Sequence, residues 1–110
     1  MKIDFKPNAN LIQTSYAGCF TATFDELCLL LGAHNIGGSF GNKTQCEWSG
    51  TLNDIAFTIY DYKEYDIEIE VERDIPIEWH IGLALNENRE ADLTTILNII
   101  TLALDDLRQG

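Results

Sequence analysis

Residues 65–81 read YDIEIEVERDIPIEWHI, and the alternation within them decides the fold class. Tyr65, Ile67, Ile69, Val71, Arg73, Ile75, Ile77, Trp79 and Ile81 take the odd positions. Asp66, Glu68, Glu70, Glu72, Asp74, Glu78 and His80 take even ones. A period of two sustained over this length predicts extended chain with one face buried. Pro76 cannot donate to a ladder, so two strands or a bend are expected around it.

Upstream, Lys43 to Ser49 and Ile55 to Tyr62 read as strands around a turn at Gly50-Thr51-Leu52-Asn53-Asp54. Cys46 and Trp48 share a face of the first; Ile55, Phe57 and Ile59 share one face of the second, with Tyr60 and Tyr62 on the other. This is the pattern of a half-buried antiparallel hairpin. Further back, Met1 to Phe5 alternates as an edge strand, Pro7 to Asn10 reads as a turn, and Tyr16 to Thr23 leads into a helix. Thr23 and Glu26 have capping-box spacing, Phe24, Leu27, Leu30 and Leu31 fall on one face, and Gly32 supplies the stop. His34 to Asn42, with Gly37, Gly38 and Gly41, reads as a loop. It is no phosphate-binding loop, because Gly is missing directly before Lys43 and a strand follows where a helix is required.

Downstream of Gly82 the chain turns polar through Asn86, Glu87 and Asn88. A second helix is predicted from about Arg89 to Leu107, with Leu93, Leu97, Ile100, Leu104 and Leu107 as its buried stripe. The expected architecture is a single α+β domain: a small antiparallel sheet of four to five strands carrying two helices, the second long and C-terminal. At 110 residues there is room for one domain.

Charge narrows the function classes. Seven Lys and Arg face eighteen Asp and Glu, a formal net charge of −11. Such a chain repels nucleic acid and anionic membranes and attracts basic partners, so direct nucleic-acid binding is not expected. No apolar run has membrane-spanning length and the N-terminus lacks a secretory apolar region, which points to the cytoplasm, a bacterial host's in the reading developed below. Cys19, Cys28 and Cys46 form no CxxC pair and are odd in number, so they read as reduced packing residues without disulfide or zinc.

Catalytic signals are sparse. His34 and His80 are far apart and have no partner at i+3 or i+4, so no enzyme, metal or cofactor is expected. Side chains at i, i+2 and i+4 of a strand stand in a row about 6.6 Å apart, a line and not a metal cage. Asp66, Glu68, Glu70, Glu72 and Asp74 are therefore the expected partner-binding row. Residues 61–78 hold eight of the eighteen acids, more than an edge strand needs to resist aggregation. Trp48, Tyr60, Tyr62, Lys63, Trp79 and His80 form a second candidate set, for a ligand or an interface; aromatic rings there would stack a base while Lys43 and Lys63 met phosphate.

Several short motifs carry a resemblance: the capped helix Thr23 to Gly32, Lys43-Thr44 with Glu47-Trp48, Thr58-Ile-Tyr-Asp-Tyr-Lys63, and Trp79-His-Ile-Gly82. Together they resemble small uncharacterised proteins of bacteriophages and other mobile elements, over roughly half the chain. Pro after the helix-ending Gly is absent, Leu83 stands where a second Gly is expected, and Asp66 to Asp74 lies outside the pattern. The resemblance implies an anti-defence context, with inhibition by stoichiometric binding. The expectation is a viral, non-catalytic anti-CRISPR or anti-restriction inhibitor, a nucleic-acid mimic whose acidic strand engages a basic protein or nucleoprotein complex of host defence. The alternatives are sequestration of a nucleotide immune signal, or an immunity protein or antitoxin that neutralises a nuclease toxin. A strand edge and exposed aromatics leave room for a homodimer without compelling one.

Overall fold

The computed structural model of the chain describes residues 3–8, 14–33, 36–37, 46–62 and 67–110. Its elements are β1 (Lys6–Pro7), β2 (Thr14–Ala22), α1 (Phe24–Leu31), β3 (Ile36–Gly37), β4 (Cys46–Leu52), β5 (Ile55–Asp61), β6 (Ile77–Ala84) and α2 (Arg89–Gln109). The strands form one antiparallel sheet in the order β1-β4-β5-β6-β2, with β3 also against β4. Both helices lie on one face, so the α+β architecture with a long C-terminal helix is as expected. Among the described residues no helix is long and apolar enough to cross a membrane.

The core lies between the sheet and the helices. From β4 it takes Cys46, Trp48 and Leu52, from β5 Phe57 and Ile59, and from β6 Ile77, Trp79, Ile81 and Leu83. These meet Phe24, Leu27, Leu30 and Leu31 of α1 and Ile96, Ile100, Ala103 and Leu104 of α2. Of the five residues expected on the α2 stripe two are buried, Ile100 and Leu104; Leu93, Leu97 and Leu107 pack at its margin, and Ile96 and Ala103 complete the buried face. Trp48 and Trp79 are wholly buried, with their rings edge to face and 5.6 Å apart. Their indole N–H groups donate to the carbonyls of Gly32 and Ala22, 2.9 Å each. Helix α1 is thereby fastened to the sheet at both of its ends.

Local chemistry explains the element boundaries. The capping box is present: Glu26 N–H donates to Thr23 Oγ1 at 3.0 Å, and Thr23 N–H to Glu26 Oε1 at 2.9 Å. Gly32 closes α1 at φ 83°, a backbone conformation that side chains disfavour. Asn53 and Asp54, at φ 52° and 64°, make the two-residue hairpin turn between Leu52 and Ile55. The turn is thus shorter than the five residues expected, and the strands correspondingly longer. At the N-terminus Ile3 to Phe5 is not a strand; Pro7 pairs with Gly50 on the sheet edge, where its missing N–H costs no ladder bond.

Two larger expectations are corrected. Residues 67–76 are not a strand but a succession of tight turns, and β6 begins only at Ile77. Val71 and Glu72 N–H groups donate to Glu68 O at 3.0 and 2.8 Å, and Ile75 N–H to Glu72 O at 3.4 Å. Of the alternating apolar residues only Ile69 is buried; Val71 is 72% exposed. Folding the segment back on itself avoids ranking like charges side by side on a ladder, a repulsive arrangement. The second correction is β2, a nine-residue strand where the sequence suggested only a lead into α1. Its register with β6 shifts between Tyr16 and Gly18, a bulge at Ala17 that breaks the alternation.

Candidate functional site

The first candidate surface is the acidic segment between β5 and β6. Ile69 plugs into the core with Ile67 beside it, and Arg73 ties the far end to α1. Arg73 Nε lies 2.7 Å from Asp25 Oδ1, its guanidinium sits 4.6 Å over the Phe24 ring, and its carbonyl accepts from Asp25 N–H at 3.1 Å. Within that frame Glu72 folds back onto its own turn, accepting from Glu68 N–H at 2.8 Å, and Glu70 Oε1 lies 4.0 Å from the Cys46 thiol. The exposed carboxylates Glu68, Glu70 and Asp74 therefore do not form the evenly spaced row expected. They share the surface with Val71 and Ile75, so the patch is acidic with apolar points. Asp66 lies outside the described residues, as do Lys43, Lys63, Tyr65 and His34.

Beneath it, β4 and β5 bury two polar groups. Cys46 N–H donates to Asp61 Oδ1 at 2.9 Å, and both side chains are fully buried. Burial first, then the charges of Asp61 and Glu70, pushes the Cys46 thiol up to about 12. Burial also raises the Cys28 thiol. Among the described residues no three His, Cys, Asp or Glu side chains converge to hold a metal ion.

The second surface is the sheet face away from the helices, and register builds it. Glu47 pairs with Tyr60, Tyr60 with His80, and His80 with Cys19, so one row across four strands carries a carboxyl, a phenol, an imidazole and a thiol. Directly opposed side chains on an antiparallel sheet start about 4.5–5.5 Å apart. The bulge at Ala17 turns Tyr16 to the same face as Cys19. Three tyrosines then surround the His80 ring: Tyr16 at 4.7 Å, Tyr62 stacked at 5.3 Å, and Tyr60 edge-on at 5.5 Å. Glu78 Oε1 stands 3.3 Å from His80 Nε2. In the next row Thr58 packs against Gly82 so closely that a Cβ there would come within 2.3 Å of Thr58 Oγ1.

Electrostatics on this face run one way. Burial, then the Asp61 charge, pushes the Glu47 carboxyl up from its ordinary value. Burial, then Glu47, raises the Tyr60 phenol, and Cys19 raises that of Tyr16. Each of these three groups, Glu47, Tyr60 and Tyr16, therefore ionises less readily than it would in water. Tyr60, Tyr62 and His80 come together as a candidate cluster, whereas Trp48 and Trp79 are core residues and offer no surface to a ligand. Glu78 joins it from the same face of β6, as its spacing from His80 implied, whereas Tyr16, Cys19 and Glu47 join unforeseen, because only register between strands reveals them. Clefts open elsewhere among the described residues. One at the start of α2, of 550 Å³, is lined by Ala17, Asn86, Glu87, Arg89, Glu90 and Leu93; a smaller one lies by Lys6. No protein-family model, curated protein or solved structure matches the chain.

Proposed function

We propose that this chain is a non-catalytic binding protein of the phage anti-defence type, which inhibits its target by occupying a basic, nucleic-acid-binding surface. The observation that carries the reading is the acidic turn. Its carboxylates Glu68, Glu70 and Asp74 are exposed on a segment held in shape by Ile69 and by the Arg73–Asp25 pair. Pre-ordering lowers the entropy cost of association, and a net charge of −11 steers basic partners towards the molecule. The turns change how recognition works. Irregular carboxylates around Val71 and Ile75 suit a basic-rimmed groove with an apolar floor, rather than a track that reads evenly spaced phosphates. Nucleotide sequestration is the weaker reading, since two of its four aromatics are in the core and the remaining face carries carboxylates that repel phosphate.

The test is affinity capture from bacterial lysates that carry defence systems, with low- and then high-salt washes and mass spectrometry. Parent protein should retain a basic nucleic-acid-processing complex that salt releases. Glu68→Lys/Asp74→Lys should lose it at least about tenfold, since charge pairs across an interface are worth more than 1.4 kcal/mol when desolvated. Glu70 and Glu72 are left untouched because both are engaged within the fold. Equal capture by parent and variant would overturn the proposal.

A further inference from the structure

We propose that the sheet face around His80 recognises arginine, taking a guanidinium from the basic protein partner between the Tyr62 and Tyr16 rings and the Glu78 and Glu47 carboxylates. This rests on the reading of the partner as basic, and it assigns that partner a second contact chemically distinct from the acidic turn.

Three observations on different elements converge on it. The first is aromatic surface: Tyr16 is 52% and Tyr62 37% exposed, and their rings flank a half-buried imidazole. Tyrosine faces attract cations, and a planar guanidinium can stack on a ring while its N–H groups meet carboxylates in the same plane. The second is charge. Strands β2, β4, β5 and β6 contain no Lys or Arg, so the four long strands of this face offer Glu47 and Glu78 no permanent cation, and Glu78 faces the titratable His80 imidazole, 3.3 Å away, instead. Glu47 is penalised for its burial and gains only the negative neighbour Asp61, so a cation arriving beside it would relieve a cost already present in the free protein. The third is rigidity. Row register and the Ala17 bulge hold Tyr16, Cys19 and His80 on three backbone-bonded positions, and Tyr62 is held by its stacking on His80.

Other occupants fit less well. A nucleotide would bring phosphate towards Glu47 and Glu78. A second copy of this chain would set the same carboxylates against themselves. Lysine would meet the carboxylates but, as a compact, strongly hydrated charge, would stack poorly on the rings.

The experiment is an NMR titration of the full chain at low ionic strength with the peptide acetyl-Gly-Arg-Gly-amide. Its counterpart carries citrulline, which keeps the planar side chain and removes the charge. The arginine peptide should shift the amides of Tyr16, Tyr62, Glu78 and His80 saturably, and the citrulline peptide should not. Tyr62→Leu and Glu78→Gln, each checked for an unchanged unfolding midpoint, should weaken the arginine titration roughly fivefold, the size of one cation–aromatic contact. Shifts confined to residues 68–74, equal response to citrulline, or full binding by both variants would overturn the proposal. The peptide reports without the natural partner. An absent footprint with salt-sensitive capture intact therefore sinks the arginine site alone, while a clear footprint with no captured basic protein sinks the acidic-turn reading alone.

Discussion

Cys19, Cys28 and Cys46 sit in three different environments on three elements, and their chemistry follows. Cys19 is exposed on β2, Cys28 half-buried on α1, and Cys46 buried with its thiol pushed up to about 12. Thiolate is the reactive form, so iodoacetamide near pH 8 should label Cys19 first, Cys28 slowly and Cys46 only after denaturation, read by mass spectrometry of timed aliquots. Early adducts on Cys46 would contradict the packing described. Glu47 gives the pH-dependent counterpart. Its carboxyl is raised in the folded state, so the folded protein holds that proton more tightly than the unfolded chain does. The cost is absent below the ordinary value of 4.5 and grows as pH rises through the folded one. Glu47→Gln should therefore be more stable than the parent at pH 7, with the gain vanishing below about pH 4 in urea titrations. At this scale the sequence was a partial guide. It put Tyr60 and Tyr62 opposite the core and Trp79 among the alternating apolar residues of the buried face, but it gave no means of seeing that the indoles of Trp48 and Trp79 bond Gly32 and Ala22.

Among the elements, those defined by local chemistry were legible and those defined by distant partners were not. The Thr23–Glu26 box and Gly32 announce themselves within a few residues, and the hairpin and the long α2 do so as elements, although the turn tightens to Asn53-Asp54 and the α2 stripe shifts to take in Ile96 and Ala103. Strand β2 does not, since its bulge shifts the alternation by one and its neighbour β6 is some sixty positions away. The acidic segment misled for the opposite reason. Its alternation is genuine, yet only Ile69 finds a place in the core, and local N–H to carbonyl bonds from Glu68 onward are made instead. Ile69 is then the anchor of the whole turn. We expect Ile69→Ala to cost about 2–5 kcal/mol in urea unfolding, the range for emptying a buried aliphatic site. It should also speed amide exchange at Val71 and Glu72 before any global opening. A cost below about 1 kcal/mol would mean that the turn holds its shape without the plug.

For the molecule as a whole, charge sets stability and recognition against each other. Eighteen acids against seven bases make the folded chain repel itself, whereas the same excess attracts a basic partner. Added sodium chloride should therefore raise the thermal midpoint between 20 and 300 mM, on the order of a few degrees, while weakening capture of the proposed basic partner over the same range. A midpoint that falls with salt would place the stabilising weight on ion pairs such as Arg73–Asp25 and Arg108–Glu26 instead. The candidate surfaces reflect the same division at large scale. The acidic excess can be counted from residue types alone, but the row from Glu47 through His80 to Cys19 exists only once four strands are aligned.

The contact between Trp48 and Trp79 has an optical consequence. The two indoles lie close enough to share excitation, one hydrogen-bonded at each end of α1, and neither touches water. Their joint emission is a built-in gauge of whether that helix is seated on the sheet. Light absorbed by the surrounding tyrosines drains towards the same pair, so unfolding at either end of α1 is written in the colour of the fluorescence without any added label.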